Sequence, residues 1–415
     1  MDVKITNARA PHGDVTPPSS KSEAHRLLIC QALSLAPGAV RVGATNDDIK
    51  ATASALRSLG ADMEYDGENY ILRSVEWKKG STVFCRESGS TLRFLLPVAA
   101  SLGLDAVFTG SGRLPERPLS PLYELMCANG VTMSEKGVMP LHCKGRLTGD
   151  RFDIDGSVSS QFITGLLLSA PLIGNGVTVN VTGRLESRPY IDVTVDAMRR
   201  YGIDVITSWQ TYTVSGKYRP ARSAQAMGDW SSAAFWIVAG TLSDKGIRVF
   251  GLDPDSAQGD KQIIGQLRSL GANVRSESDR VIACRSDLKG ALIDCADTPD
   301  LVPALSVAAA FADGVTVFEN VARLRSKESD RIAAVEAMLN GFGIRTESER
   351  NTLRVYGGVP KGSEVDSFGD HRIAMAGALL ACCSGSQCVI KGAGCVSKSY
   401  PAFFDHLGSL GVEIE

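Results

Sequence analysis

The hexapeptide LRSLGA stands twice in this chain, at Leu56–Ala61 and Leu267–Ala272, and its glycine recurs at Gly60, Gly130, Gly202, Gly271, Gly343 and Gly411. The intervals are 70, 72, 69, 72 and 68 residues, so six units of nearly equal length fill the 415 residues. Self-similarity at a fixed period means one supersecondary module used repeatedly, whose copies bury their apolar faces against one another. Each copy reads as an amphipathic helix that stops at a C-cap glycine and is followed by a short strand, as in QLRSLGANVRSE.

A second series precedes the first. Polar clusters open small-residue, apolar helices at Ser20, Ser90, Ser160, Ser231, Asp300 and Asp370, with steps of 70, 70, 71, 69 and 70. A third series, Arg117, Arg188, Gln258, Lys327 and Lys398, opens the second helix of most units. The pattern predicts βαβαββ in each unit. The stretch KYRPARSAQAMGDW, residues 217–230, interrupts the helix and strand signals between two sets of three. It predicts one domain over 16–228 and a second over 229–415. The last unit ends at Glu415 without its closing strands, so the strand around Val3–Thr6 is expected to supply one, and 1–15 then belong to the second domain.

Forty-four Lys and Arg against forty-six Asp and Glu give a net charge of −2, which excludes the broad basic surface of a general nucleic-acid binder. Any anion binding must be local. There is no secretory signal pattern and no apolar run long enough to span a bilayer, which predicts a cytoplasmic protein. The ten cysteines form no CxxC pair and the five histidines fall at no zinc-like spacing, so no metal is expected. GAGCVSKS (392–399) fails both the dinucleotide and the P-loop pattern, and no GxSxG hydrolase signature is present.

The helix openings carry more than caps. Ser and Asp are the ordinary N-cap residues, yet the same places also hold Lys21, Arg26, Gln161, His371 and Arg372. Repeats packed with one orientation bring helix N-termini together, and free N–H groups at positive dipole ends bind anions. PPSSKSEAHR (17–26) puts Lys21 and Ser22 in a loop and Arg26 one turn into a helix, which reads either as an anion clamp or as a solvated basic helix start. In RLRSKESDR (323–331), Lys327, Glu328 and Arg331 surround a helix start: an anion-holding face with an acid or base beside it, or an exposed helix with i,i+4 pairing. GDHRIAMA (369–376) flanks His371 with a carboxylate and a guanidinium, a setting that tunes its proton affinity. Asp300, in DTPDLVPAL, is a helix cap or, where a substrate hydroxyl is delivered to it, a general base.

Nine segments, PPSSKSEAHR, ESGSTLRFLLP, RLPERPLSPL, DGSVSSQFITGLL, SRPYIDVT, DTPDLVPAL, LRSKESDRI, GDHRIAMA and KSYPAFF, run in an order and at a spacing that resemble the 5-enolpyruvylshikimate-3-phosphate synthase family over essentially the full chain. The resemblance implies an α/β fold of two similar domains, each of three βαβαββ units in an inside-out α/β barrel, with the active site in the cleft between them. It implies transfer of the carboxyvinyl group of phosphoenolpyruvate to the 5-hydroxyl of shikimate 3-phosphate, with no cofactor. In that reaction C3 of the enolpyruvate is protonated as the hydroxyl attacks C2, and the tetrahedral adduct then loses phosphate and a C3 proton. Such a site must hold two phosphates and a carboxylate and also move protons.

By the same resemblance, shikimate 3-phosphate falls to Lys21, Ser22, Arg26, Ser159, Ser160, Gln161, Ser187, Tyr190, Arg323 and Lys327, with Asp300 receiving the hydroxyl proton. Phosphoenolpyruvate falls to Lys21, Gly89, Arg117, Gln161, Arg331, Arg372 and Lys398. Glu328, with Lys21 and His371, is implied in proton traffic at C3. Glyphosate is the implied inhibitor and a monomer the implied state. The sequence departs from the family at Arg323, where many relatives carry Asn or Glu, and at Glu87, where Asn is common. The related UDP-N-acetylglucosamine enolpyruvyl transferases carry a cysteine in the loop that matches Gly110–Pro118, and GSGRLPERP here has none.

Overall fold

The computed structural model describes residues 1–415. It divides into two compact units, Ser19–Ala226 on one side and Met1–Pro18 with Met227–Glu415 on the other. Each unit carries three small sheets, and one strand order recurs in them. In the third repeat the order is Arg151–Asp155, Val177–Thr182, Thr211–Gly216, Ile203–Ser208. The first two strands are parallel, Arg151 opposite Thr178, and the other pairings are antiparallel. A parallel pair needs a crossover, which helix Ser160–Ile173 provides. Arg151–Asp155 alternates exposed and buried, so Phe152 and Ile154 face the core while the charged residues face water.

Three repeats borrow a strand. Val3–Asn7 lies between Cys388–Lys391 and Glu413–Ile414, completing the last repeat as its fourth strand. Gly13–Val15 runs parallel to Ile247–Phe250 and serves as first strand of the fourth repeat. In the first repeat the corresponding edge is a parallel bridge from Arg41 to Gln225, with Arg41 N–H donating to Ala224 O at 2.8 Å and Ala226 N–H to Arg41 O at 2.9 Å.

The helices that open each repeat are buried around their whole circumference. Val302–Ala310 is buried at every position, and Trp230–Leu242 at every position but Ser231. A helix apolar all round belongs at the centre, so the sheets form the outside of each unit. In Ser19–Ala226, helices Gly89–Leu102 and Ser160–Ile173 touch at Gly165, where an added Cβ would lie 2.2 Å from the Arg93 carbonyl oxygen. Only glycine permits that approach, and it sets Gln161 beside Ser90 and Arg93.

The element starts differ in detail from the sequence reading. Ser20 caps helix Lys21–Leu33, so Lys21 and Ser22 are in its first turn and not in a loop. The other caps are Ser88, Ser159, Asp229 and Asp370, so Ser90, Ser160 and Ser231 stand just inside their helices. Asp300 is not the cap residue, since Thr298 and Leu301 hold the cap positions: it lies in the 3-10 turn Pro299–Leu301, with its carboxylate turned to cations. Of the third series only Arg188 opens an α-helix. Arg117 precedes Pro118 and Pro121, which delay helix formation to Leu122–Ala128. Lys398 ends the 3-10 segment Ala393–Lys398, and Lys327 follows the 3-10 segment Ala322–Ser326, four residues before helix Arg331–Gly341, which Asp330 caps through the N–H groups of Ile332 and Ala333.

Candidate active site

In Ser19–Ala226 most of the named residues lie at the starts of helices Lys21–Leu33, Gly89–Leu102, Ser160–Ile173 and Arg188–Arg200. Arg26 is buried and ties three of these helices together. Its Nε donates to Thr194 Oγ1 at 2.7 Å, Nη1 to Ser22 O at 2.6 Å, and Nη2 to Tyr190 O at 2.9 Å and Thr164 Oγ1 at 3.3 Å. The guanidinium carbon stands 4.9 Å from the centre of the Phe94 ring. Burial draws this guanidinium down to about 10, so it stays charged at neutral pH. Lys21 Nζ pairs with Asp48 Oδ2 at 2.9 Å. Ser187 is buried with φ 56°, an uncommon conformation for serine, fixed at the start of helix Arg188–Arg200.

Gln161 is held at both ends: Arg93 Nη1 donates to its Oε1 at 2.7 Å, and its Nε2 donates to Ser90 Oγ at 3.0 Å. Arg117 lies over Gly89, so near that a Cβ there would be 2.8 Å from Nη1. Behind them runs a buried relay, His25 Nδ1 to Thr52 Oγ1 (2.7 Å), Thr52 to Thr91 (2.7 Å) and Thr91 to the cap Ser88 (2.8 Å). Burial pulls His25 down to about 3, so it is a neutral link in this relay.

The second cluster lies wholly in the other unit. Arg331 is 1% exposed and meets three carboxylates: Nη1 with Asp300 Oδ1 at 2.8 Å, Nη2 with Glu328 Oε2 at 2.7 Å, Nε with Asp370 Oδ2 at 2.7 Å. Asp300 is also met by Lys327 Nζ at 3.4 Å and by Arg372 Nη2 at 3.1 Å, while Arg372 Nη1 reaches the Asp300 carbonyl at 3.2 Å. Lys398 Nζ is 4.0 Å from Glu328 Oε1, and His371 Nδ1 is 3.8 Å from Asp370 Oδ1. Arg323 Nη2 donates to Ala296 O at 2.6 Å. Burial pushes the Asp300 carboxyl up, but Arg372, Lys327 and Arg331 outweigh it and hold it well below the usual range. Burial draws Lys327 down despite Asp300.

Asp300, Lys327, Glu328, Arg331, His371, Arg372 and Lys398 are therefore one cluster. Lys21, Ser22, Arg26, Gly89, Arg117, Ser159, Ser160, Gln161, Ser187 and Tyr190 sit on the helix starts of Ser19–Ala226 and the loops beside them. Sequence reasoning passed over Arg93, four residues after Gly89 and so on the same helix face, and Asp48, whose pairing with Lys21 no local pattern announces. It also passed over Asp260. Chemically, fixed cations hold anions, and a carboxylate kept ionised among them accepts a proton from a hydroxyl.

The family model described as EPSP synthase (3-phosphoshikimate 1-carboxyvinyltransferase) matches residues 5–407. A Clostridium kluyveri protein named 3-phosphoshikimate 1-carboxyvinyltransferase is 39% identical, covering 97% of this chain and 96% of that protein. A Methanopyrus kandleri protein of the same name is 36% identical, covering 99% of each. Among solved structures, an Acinetobacter baumannii EPSP synthase superposes with TM-score 0.81 at 26% identity over 100% of this chain and 99% of that one. The enolpyruvyl transferase NikO of Streptomyces tendae, at 20% identity, TM-score 0.80 and coverage of 100% and 98%, shares the fold. On a model match and relatives that span nearly its whole length, the chain belongs to the EPSP synthase (3-phosphoshikimate 1-carboxyvinyltransferase) family and transfers the enolpyruvyl group of phosphoenolpyruvate to shikimate 3-phosphate in aromatic amino acid biosynthesis.

Proposed function

We propose that residues of both clusters serve each substrate, as follows. Ser22, Arg26, Ser159, Ser160, Gln161, Ser187, Tyr190, Arg323 and Lys327 hold shikimate 3-phosphate, and Lys21, Gly89, Arg117, Gln161, Arg331, Arg372 and Lys398 hold phosphoenolpyruvate. The incoming phosphate competes with Asp300 and Glu328 for Arg331 and Arg372. Asp300 takes the 5-hydroxyl proton as the oxygen attacks C2, while Glu328, with Lys21 and His371, gives C3 a proton and removes one as phosphate leaves. The observation that carries this reading is Asp300 held ionised among Lys327, Arg331 and Arg372, with Glu328 on the same arginine. A base that accepts a proton in one step must start without one. The working state is a monomer in the cytoplasm.

The direct test is phosphate release from phosphoenolpyruvate with each of two acceptors. Release is expected with shikimate 3-phosphate and not with UDP-N-acetylglucosamine; the reverse pattern overturns the assignment. Lys327→Ala removes a cation assigned to shikimate 3-phosphate, so the KM for that substrate should rise about tenfold or more, since one charge-assisted contact contributes about 1.5–3 kcal/mol. A fall in kcat with KM unchanged would contradict the role.

Glyphosate occupies the phosphoenolpyruvate site in this reading, and Gly89 tests it. Gly89 does not adopt the left-handed conformation, so the backbone does not require glycine; an added methyl would meet Arg117 Nη1, Cζ and Nη2 at 2.8, 2.9 and 3.0 Å. Gly89→Ala therefore displaces the end of a flexible cation and narrows the space beside it. The longer inhibitor should lose more than the substrate, so the ratio of glyphosate inhibition constant to phosphoenolpyruvate KM is expected to rise. An unchanged ratio would sink the steric account.

A further inference from the structure

Asp260 has no part in the assignments above, yet it is 3% exposed and stands in the 3-10 turn Gly259–Gln262, against the start of helix Trp230–Leu242. Gln258 pins that turn, its Oε1 accepting from Trp230 N–H at 3.0 Å and its Nε2 donating to Gly228 O at 3.0 Å. Asp260 Oδ2 is in very short contact with Ser231 Oγ. Its Oδ1 is buried with no hydrogen-bond partner. The charged groups that face it are Asp300 from the Pro299–Leu301 turn, Arg372 from helix His371–Ser384, and Asp229, the cap of Trp230–Leu242.

The charge of Arg372 acts on both aspartates, but its hydrogen bonds go to Asp300. Arg372 gives Nη1 and Nη2 to Asp300, and Asp260 Oδ1 takes no hydrogen bond from it. An ionised Asp260 would keep an unsolvated, unbonded oxygen beside a second negative charge, which is costly. A protonated Asp260 avoids this, and Ser231 Oγ serves the Oδ2 contact as donor or acceptor. Burial first, and then the charge of Asp300, push Asp260 up to about 7 against the pull of Arg372 and Ser231.

We propose that Asp260 is a positioning residue that works in its protonated, neutral form, leaving the charge of Arg372 to the anionic substrate, and that its ionisation weakens phosphoenolpyruvate binding. This rests on the assignment of Arg372 to phosphoenolpyruvate. It adds a second carboxyl with the opposite protonation state to Asp300, its neighbour.

Two measurements on the full chain test it. The first needs no substrate. With 13C-labelled aspartate, infrared spectra should show a protonated carboxylic C=O band at about pH 6 that disappears towards pH 8. The band should be missing from Asp260→Asn, which keeps the side-chain volume. The wild-type titration stands alone if the variant does not fold, and no band at pH 6 overturns the proposal. The second is the KM for phosphoenolpyruvate. The ionisation of the ligand is common to both proteins and cancels in the ratio, so wild-type KM over Asp260→Asn KM should rise about tenfold between about pH 6 and pH 8.5. A flat ratio in two active enzymes overturns the proposal and leaves the assigned reaction standing; a band without turnover on shikimate 3-phosphate removes the assigned reaction and leaves the protonated Asp260.

The same proton is visible in stability. Folded Asp260 retains a proton that the unfolded chain has released above the ordinary carboxylate range. Wild-type stability relative to Asp260→Asn should therefore fall as pH rises from about 4 to about 7 and level off above it, and a constant difference contradicts the protonated form.

Discussion

Asp300→Asn is expected to lower turnover by about 10²-fold or more, with the KM of both substrates changed only a few-fold. The carboxylate is met by Arg331 at 2.8 Å, Arg372 at 3.1 Å and Lys327 at 3.4 Å, so it is held ionised and aimed by three fixed cations. An amide keeps the volume and accepts from two of these donors, but it cannot take a proton from a hydroxyl. The loss therefore belongs to kcat. Asparagine also removes one negative charge from the cluster, which favours anion binding and works against a rise in KM. Steady-state kinetics at saturating shikimate 3-phosphate separate the two effects. Turnover within a few-fold of wild type would show that the 5-hydroxyl proton goes elsewhere.

The fold was legible because it is periodic. Six recurrences of one C-cap glycine and of one helix opening constrain the module count whatever the side chains do, and the unclosed sixth repeat pointed to the strand Val3–Asn7 that completes it. Element starts were less legible, because the cap is one residue while the polar cluster around it is several. Ser88 and Ser159 cap where Ser90 and Ser160 are equally good candidates by type. Pro118 and Pro121 should have moved the helix start beyond Arg117, since neither offers an N–H to a helix interior.

The candidate site divided along the same line. Residues inside recurring polar clusters, such as Lys21, Gln161 and His371, stood out by exceeding what a cap needs. The groups that hold them did not. Asp48 meets Lys21 from a different helix 27 positions away, and Arg93 reaches Gln161 across the close approach that Gly165 permits. Asp260 was hidden for another reason: its significance is the company of Asp300 and Arg372, 40 and 112 positions on, and a buried acid looks like any other acid in a sequence. RLRSKESDR could also be read as an exposed helix with i,i+4 pairs, the commoner fate of such runs. The burial of Arg331, at 1%, separates the two readings, and burial is a property of the packed repeats.

That burial makes Arg331 a position where substitution should cost much stability. Arg331→Met is expected to destabilise the unit Met1–Pro18 with Met227–Glu415 by about 3–5 kcal/mol, the range for removing one partner of a buried ion pair. The reason is what remains. Asp300, Glu328 and Asp370 each lose a contact of 2.8 Å or less, and Asp370, fully buried, also caps helix His371–Ser384 and accepts from Ser329. Methionine fills much of the volume without supplying a donor, so desolvated charge, and not a cavity, dominates the loss. Trp230 and Trp236 both lie in this unit and are buried, and their fluorescence follows its unfolding in urea. Acid distinguishes lost charge from lost packing. Asp300 is held low in the wild type, so its contribution is present above the ordinary carboxylate range and disappears as pH falls through its own lower value. Without Arg331 that contribution is smaller, so wild type and variant should converge on acidification. A cost that stays constant as pH falls through that lower value would mean that Arg331 acts by packing alone.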